Sequence, residues 1–162
     1  YKDGFNGDAA RTYIVGKPNS QEDERLLAVT KQAFFEGIKY AVKGNRIGDI
    51  SHAIGEYVEK NGFSVVREFQ GHGIGREMHE DPQVPNYGRR GNGPMIKNGM
   101  CIAIEPMITM GNPSVYMMPD RWTIKTRDGK VAAHFEHTIA VHNGKFDILS
   151  SFEKIERELN KN

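Results

Sequence analysis

Residues 131–141 read Val-Ala-Ala-His-Phe-Glu-His-Thr-Ile-Ala-Val, an alternating pattern that is typical of a β-strand. Successive side chains of a strand point to opposite faces of its sheet. One face therefore carries a mainly apolar set, which we assign to the core: Ala133, Phe135, His137, Ile139 and Val141. The other face carries a set that is polar in the middle of the strand: His134, Glu136, Thr138 and Ala140.

Two residues of this strand are interpreted differently. His137 lies between Phe135 and Ile139 on the apolar face, so we expect a hydrogen-bonded core histidine. Glu136 is either an exposed edge residue or a carboxylate held in place for chemistry. The β-rich flanks weaken the first interpretation of Glu136.

Residues 100–105 predict a second strand with the same anomaly. Glu105 ends an otherwise apolar strand on the face that carries Cys101 and Ala103, and Pro106 is expected to terminate pairing. A buried carboxylate is unfavourable unless it is paired, protonated or bound to metal, whereas a strand-end Glu can also emerge into solvent. Cys101 is interpreted as a small buried residue rather than a nucleophile, because no motif supports its activation.

The segment Gly71-His72-Gly73-Ile74-Gly75 predicts a glycine-rich loop after a short strand at 63–66. Glycines let the backbone approach a ligand closely or adopt positive φ, so His72 is a candidate ligand, although a lone loop histidine is more often a solvent-exposed one. The glycine spacing does not match the dinucleotide-binding fingerprint. His79 follows seven residues later, too far along the chain for one strand or helix face to hold both histidines.

The remaining patterns predict an α+β fold, with helices on one face of a largely antiparallel sheet. A first helix is introduced by Pro18 and Ser20 and stopped by Gly44-Asn45; a second begins at Asp49 as N-cap and ends with Gly62 as C-cap. We expect residues 1–150 to form one domain and residues 151–162 a helical tail with Phe152, Ile155 and Leu159 on one side. The other predicted segments are a strand over 9–15, an irregular stretch over 82–99 and a strand over 121–126.

Composition narrows the class of protein. The 162 residues suffice for one domain, and 22 Lys+Arg against 21 Asp+Glu give a net charge of +1, which implies no overall attraction to nucleic acid or membranes. A single cysteine favours a reducing compartment, and we expect the cytoplasm. No apolar stretch approaches the ~20 residues that span a bilayer.

Asp8 completes a set of possible metal ligands. It follows the turn pair Asn6-Gly7, and alone it is most simply a turn residue. Together, Asp8, His72, Glu105 and Glu136 each stand beside a predicted strand. One imidazole and three carboxylates suit a divalent first-row metal in a catalytic site, rather than a cysteine-rich structural zinc.

The motifs around these residues resemble those of type I methionine aminopeptidases. The resemblance runs from Tyr1 to about Leu149 and includes Trp122–Thr126. It implies the pita-bread fold, mainly its C-terminal half, with a dinuclear metal site between two pseudo-symmetric halves. Five segments carry it in the same order: Asp3-Gly4-Phe5-Asn6-Gly7-Asp8, Gly71-His72-Gly73-Ile74-Gly75, His79-Glu80-Asp81-Pro82, Ile104-Glu105-Pro106-Met107 and Phe135-Glu136-His137-Thr138.

The resemblance also implies a metal-ligand set. Asp8 and Glu136 match the carboxylates that bridge the two metals, and His72 and Glu105 match the remaining ligands of one metal. The metals implied are divalent Co, Mn, Fe or Zn, two per site in the family. The activity implied is the removal of the initiator methionine from nascent polypeptides, by metal-activated water that attacks the scissile amide.

Further roles follow from the same resemblance. Glu105 matches the general base, and His79 matches a histidine that contacts the scissile amide. Met78 and Trp122 match positions that line the methionine pocket and its approach. The partners implied are the N-termini of nascent peptides near the ribosome, with no nucleic acid, no membrane and a monomeric enzyme when complete.

This chain departs from the family at its start. It begins mid-motif at Tyr1 without a Met, after the position where the family has its first metal aspartate. We therefore expect a piece of a longer protein, with a full ligand set for one ion and little or no peptidase activity alone. Two alternatives stay open: a peptidase of the Xaa-Pro or creatinase type, which the His72-to-His79 spacing disfavours, and a non-catalytic pita-bread module that binds ribosomes or nucleic acid, which the four retained ligands disfavour.

Overall fold

The computed structural model describes residues 1–153 and 156–157. Two helices lie within them, α1 (Gln21–Ile38) and α2 (Ile47–Lys60). The strands of the described part are β1 (Ala9–Arg11), β2 (Ser64–Val65), β3 (Gly71–Gly73), β4 (Glu80–Val84), β5 (Cys101–Ile104), β6 (Met107–Thr109), β7 (Val115–Met117), β8 (Ile124–Thr126), β9 (Ala132–His142) and β10 (Lys145–Ile148).

Strand β9 organises the main sheet. It pairs antiparallel with β1, β5, β6 and β10. His137 pairs with Ala9 of β1 and with Ile104 of β5, so these two strands lie along opposite edges of β9. Beyond β5 the sheet continues through β3 to β4, beyond β6 it continues to β2, and β7 and β8 form a separate hairpin. The predicted antiparallel sheet is confirmed.

The apolar face of β9 packs on helix α1. The ring of Phe34 lies 5.6 Å from that of Phe135 and 5.3 Å from that of His137. His137 is buried, with Nδ1 3.1 Å from the Ser150 hydroxyl, which confirms the predicted core histidine. Because α1 also packs against α2, both helices enclose one core, and the α+β arrangement is confirmed.

Helix α1 begins where its sequence predicts and ends earlier. Ser20 is the N-cap, and its side chain and that of Asp23 each accept from the other's backbone N–H. The expected continuation toward Gly44 is wrong beyond Ile38, because the Ala41 N–H donates to Ile38 O in a tighter turn. Ala41 is still buried, since this turn keeps it against the core.

Helix α2 begins at Ile47, so the assignment of Asp49 as its N-cap is wrong. Arg46 is the N-cap, and Asp49 lies three residues into the capping motif, where its Oδ2 accepts from the Arg46 N–H at 2.8 Å. Its Oδ1 accepts from the Gly91 N–H at 2.9 Å and so ties a distant loop to the helix start. The C-cap is Asn61, one residue before the predicted Gly62, which follows it at φ 76°.

The strands predicted at 100–105 and 131–141 are confirmed as β5 and β9, but two other strands are shorter than predicted. Strand β1 ends at Arg11 and does not reach residue 15, and only 124–126 of the stretch 121–126 is a strand. The sequence did not predict β6, β7 or β10. These strands are short, and a pattern of three or four residues is too brief to show a period.

The predicted loop at 71–75 is wrong over its first three residues, which form β3 between β4 and β5. A Cβ on Gly71 would collide with the carbonyl oxygen of Ala103, and one on Gly73 with that of Asp81. These glycines therefore allow neighbouring strands to approach His72 closely. Pro82 lies within β4, an edge strand, where a residue without an N–H is tolerated. The irregular stretch predicted from Pro82 onward therefore begins only after Val84.

The predicted tail at 151–162 lies largely outside the described residues, as do Ile155 and Leu159. Within the described part, the Phe152 ring lies 4.5 Å from that of His137 and covers this end of the core. Neither α1 nor α2 has the length and apolar character that a membrane crossing requires.

The close approach at Gly73 predicts that Gly73→Ala will destabilise the chain by about 1–3 kcal/mol, because a methyl group there displaces the backbone of β4. Gly7→Ala is the matched control, since a Cβ at Gly7 meets no atom within 4 Å, and its effect should stay within about 0.5 kcal/mol. Urea unfolding measures both. Equal midpoints for the two variants would contradict the tight packing of β3.

Asp49→Ala should lower the free energy of unfolding by about 1 kcal/mol at pH 7, because the N–H groups of Arg46 and Gly91 lose their acceptor. The hydrogen bond from Arg46, followed by that from Gly91, holds the pKa of the Asp49 carboxyl below its usual value. The stabilisation is thus present above the unfolded pKa of about 3.9 and disappears as pH falls through the folded pKa.

Urea unfolding at pH 7 and pH 3 tests this pH dependence. The difference between wild type and Asp49→Ala should shrink at the lower pH. The exposed Glu59 of the same helix supplies the control variant Glu59→Ala, which should change stability little at either pH. A difference that grew toward pH 3 would refute the assigned role of Asp49.

Candidate metal centre

Strand register brings carboxylates from three segments to one face of the sheet. Ile104 pairs with His137 and Met107 pairs with His134, so Glu105 lies directly opposite Glu136. Residues directly opposite one another share a face. This is the face of β9 that points away from α1, and the polar set predicted from its alternation lies there.

Strand pairing also places the other two predicted ligands on this face. Ala10 pairs with Glu136, so Asp8, two residues earlier, lies diagonally from Glu136 on the same face. His72 pairs with Ala103, so it shares a face with Glu105, two residues along that strand. The small side chain of Ala103 leaves room there for the imidazole.

Three of the four predicted ligands form a first donor group: Asp8, His72 and Glu136. One ligand atom from each lies within 4.8 Å of the others. The His72 Nε2 is 4.0 Å from Asp8 Oδ2 and 3.7 Å from Glu105 Oε1, so the fourth predicted ligand borders the same imidazole.

His72 is oriented for ligation by its other ring nitrogen. Its Nδ1 lies 2.8 Å from Gly73 O, and a carbonyl oxygen only accepts, so Nδ1 carries the proton. In the neutral ring, Nε2 then presents its lone pair to the carboxylates. A backbone carbonyl that sets the tautomer in this way is the usual support of a metal-binding histidine.

A second donor group consists of Glu105, His134 and Glu136, again with ligand atoms within 4.8 Å of one another. The His134 Nε2 lies 3.4 Å from Glu105 Oε2 and 3.9 Å from Glu136 Oε2. His134 was not among the predicted ligands. The signal that could have identified it is its position two residues before Glu136, on the same face of one strand.

Glu136 shows that this face suits a cation. Its side chain is only 5% exposed, and among the described residues its buried Oε1 has no hydrogen-bond partner. Burial, followed by the negative charges of Glu105 and Asp8, raises the pKa of the Glu136 carboxyl to about 8. A divalent cation would give the unpaired oxygen a partner and neutralise the repulsion, so the residues present fit a metal.

Thr138 fixes the position of Asp8. The Thr138 hydroxyl accepts from the Asp8 N–H and donates to Asp8 O, both at 2.9 Å. Asn6 joins the same segment to the loop after β3, with its side chain donating to Arg76 O at 2.9 Å. The predictions included neither residue as functional, and both act through the backbone that carries Asp8.

His79 approaches the cluster despite its distance along the chain. Its ring centroid is 4.3 Å from that of His72, because β3 and β4 form a hairpin-like pair with His79 just before β4. One strand face does not hold both histidines, as the sequence indicated, because His72 lies in β3 and His79 lies just before β4. The pairing of these two strands brings the rings together.

The remaining predicted residues are more exposed. Met78 is 41% exposed beside His79, and Trp122 is 87% exposed in the turn between β7 and β8. Cys101 is half-buried rather than buried, and burial raises the pKa of its thiol, which agrees with an inert residue.

Comparison with known sequences identifies relatives. The chain is 52% identical over 150 residues to a methionine aminopeptidase of Clostridium acetobutylicum. This alignment covers 93% of this chain and 60% of that protein. It is 51% identical over 147 residues to methionine aminopeptidase 1 of Bacillus subtilis, covering 91% and 59%. The chain thus spans about 60% of the length of these curated relatives.

Solved structures share the fold. The methionine aminopeptidase of Thermotoga maritima matches with a TM-score of 0.88 and 48% identity, over 91% of this chain and 59% of that one. A prolidase from Pyrococcus furiosus matches with a TM-score of 0.71 at 23% identity, covering 93% of this chain and 39% of that one, which shows a common fold alone. The pita-bread fold implied by the sequence motifs is therefore confirmed.

The sequence profile of the metallopeptidase family M24 matches residues 1–143. That range includes Asp8, His72, Glu105, His134 and Glu136, and so both donor groups. The chain belongs to metallopeptidase family M24.

Proposed function

We propose that this chain carries the metal-binding part of a methionine aminopeptidase, which removes the initiator methionine from nascent polypeptides. The observation that carries the proposal is the meeting of Asp8, His72, Glu105 and Glu136 on one face of the sheet, with a buried carboxylate oxygen lacking a partner. The relatives of 51–52% identity bear the name of this activity and support it.

Asp8, His72, Glu105 and Glu136 would hold the metal. A bound divalent cation supplies Lewis acidity, which activates water and polarises an amide carbonyl. Oxygen-rich ligation with imidazole suits Co, Mn, Fe or Zn, and availability decides among them. His72 and Glu136 lie within strands, and Asp8 and Glu105 lie next to strand ends, so backbone pairing holds all four in place before substrate arrives.

Glu105 is proposed as the general base. Its side chain is 13% exposed, so it lies at the boundary between the buried cluster and the open face. It accepts a proton from the attacking water and delivers it to the departing amine nitrogen, as the new C–O bond forms and the C–N bond breaks. The Asn86 amide donates to Glu105 O at 2.9 Å and keeps the backbone of this residue in position.

His79 is proposed to contact the scissile amide. It is exposed and adjoins His72, so a peptide above the cluster can reach its ring. A hydrogen bond from the imidazole to the amide would stabilise charge that develops during attack. Met78 and Trp122 are proposed to line the methionine pocket and its approach. The proposed substrates are the N-termini of nascent peptides at the ribosome, in the cytoplasm, and the complete enzyme is proposed to be a monomer.

Isothermal titration of the 162-residue chain with Mn²⁺ should show binding that Glu136→Gln and His72→Ala each weaken by at least about tenfold. Mutation of a residue that only hydrogen-bonds to a metal ligand typically weakens metal affinity by roughly 10–100-fold. Glu136 and His72 are proposed as ligands themselves, so their loss should weaken it at least as much. Glu59→Gln and His52→Ala remove the same groups from helix α2 and should leave the affinity unchanged. No binding by the wild-type chain would favour a non-catalytic module.

The product of the complete gene, loaded with Mn²⁺, should hydrolyse Met-Ala-Ser and leave Ala-Pro intact. Glu105→Gln should lower kcat by about 10²–10⁴ through loss of the base, and His79→Ala by about 10²–10³. Glu59→Gln is the control. Because His79 is not a proposed ligand, His79→Ala should leave the metal content unchanged. Faster cleavage of Ala-Pro would point to an Xaa-Pro peptidase instead.

A further inference from the structure

We propose that Asn6 is a positioning residue for the peptide substrate. Its hydrogen bonds hold the loop over residues 75–79 beside the segment that ends in Asp8. This 75–79 loop carries Met78 and His79, which in the proposed function line the methionine pocket and contact the scissile amide. The role of Asn6 therefore rests on the proposed function and extends it to a residue that holds no metal there.

The 75–79 loop has little support of its own. Gly75 is half-buried, and residues 76–79 are exposed. The Gly75 N–H donates to Glu77 O at 3.1 Å, and the Glu77 N–H donates to Glu80 Oε1 at 2.9 Å. Both bonds join residues that are near one another in the chain, so they shape the loop without fixing it against the rest of the molecule.

Asn6 supplies the connection to the rest of the molecule. Its backbone N–H donates to Gly75 O at 2.8 Å, and its Nδ2 donates to Arg76 O at 2.9 Å and to Gly75 O at 3.3 Å. Both acceptors are carbonyl oxygens, which cannot donate, so the amide nitrogen of Asn6 must face the loop. In the described part of the chain, every hydrogen bond that joins residues 75–78 to a distant segment comes from Asn6.

Phe5 adds a second contact to the same point of the loop. Lys2 and Phe5 exchange backbone hydrogen bonds of 2.9 and 3.0 Å and close a tight turn. The Phe5 ring centroid then lies 5.1 Å from the guanidinium carbon of Arg76, a cation–π contact. Adjacent residues of one turn therefore hold both the backbone and the side chain of Arg76.

The segment that bears Asn6 is itself anchored at Asp8. The Thr138 hydroxyl bonds the N–H and the carbonyl oxygen of Asp8, and the Thr138 N–H donates to the same carbonyl at 3.2 Å. Strand β9 thus fixes Asp8 without help from the Asn6 amide. Loss of that amide should free the 75–79 loop and leave the proposed metal ligands in place.

Relaxation of the backbone ¹⁵N nuclei in the metal-free 162-residue chain measures the order of the loop directly. The order parameters of residues 76–79 should be roughly 0.85 in the wild type and below about 0.6 in Asn6→Ala. Asn61→Ala is the matched control, because it removes an amide that donates to Tyr57 O at 2.8 Å at the end of helix α2. It should leave the loop ordered. Asn6→Ser is a second variant, and far-UV circular dichroism verifies that each chain is folded.

Kinetics of the complete gene product, loaded with Mn²⁺, measure the consequence for the substrate. Asn6→Ala should lower kcat/KM for Met-Ala-Ser by about 10–100-fold, because a small misplacement of His79 and Met78 weakens their contacts with the peptide. The Mn²⁺ affinity from isothermal titration should remain that of the wild type, since the proposed ligands keep their own hydrogen bonds. Asn61→Ala should preserve both quantities.

Three results would overturn the role of Asn6 and leave the proposed function intact. The first is an equally ordered loop in Asn6→Ala and the wild type, and the second is a mobile loop with unchanged kcat/KM. The third is a loss of Mn²⁺ affinity in Asn6→Ala as large as that in His72→Ala, which would assign Asn6 to the metal centre instead. No hydrolysis by the wild type would contradict the proposed function, and the order parameters alone would then decide whether Asn6 holds the loop.

Discussion

The placement of Glu105 directly opposite Glu136 is the constraint on which the site depends. Antiparallel pairing of β5 and β6 with β9 brings these carboxylates together, and Asp8, just before β1, lies on the same face. Like charges opposite one another destabilise a sheet, and burial makes the repulsion worse. Burial, followed by the negative charges of Glu105 and Asp8, raises the pKa of the Glu136 carboxyl to about 8. A cation at this face would offset the same repulsion, so the strand register supports the proposed metal site.

Strand β9 serves two purposes through its alternation. Its apolar face packs against Phe34 of α1, while its polar face carries His134, Glu136 and Thr138. The core therefore holds the strand that carries the proposed ligands. Hydrogen bonds with the Thr138 and Thr12 hydroxyls hold the backbones of Asp8 and His134. The Gly73 carbonyl fixes the orientation of the His72 ring. Proposed ligands that are positioned in this way would lose little conformational freedom on binding an ion.

Much of the fold was predictable because long elements have clear periods. The sequence periods of strand β9 and helix α1 indicate which face of each is buried, and Ser20 marks the start of α1 as an N-cap residue. Errors arose where tertiary contacts replaced local rules. Asp49 resembles an N-cap, yet its carboxylate accepts hydrogen bonds from the N–H groups of Arg46 and Gly91. No local sequence pattern predicts the contact with the distant loop at Gly91. The glycines around His72 suggested a loop, whereas adjoining strands require their small size.

By itself, the sequence determined the two faces of β9, the α+β class, and the candidates Asp8, His72, Glu105 and Glu136, since side-chain type and alternation are properties of the chain. Only the tertiary structure decided that these residues meet, that the ring of His79 lies beside that of His72, and that His134 lies next to Glu105 and Glu136. The reason is strand register. It relates residues far apart in sequence through backbone hydrogen bonds, and no local pattern specifies which residue lies opposite which.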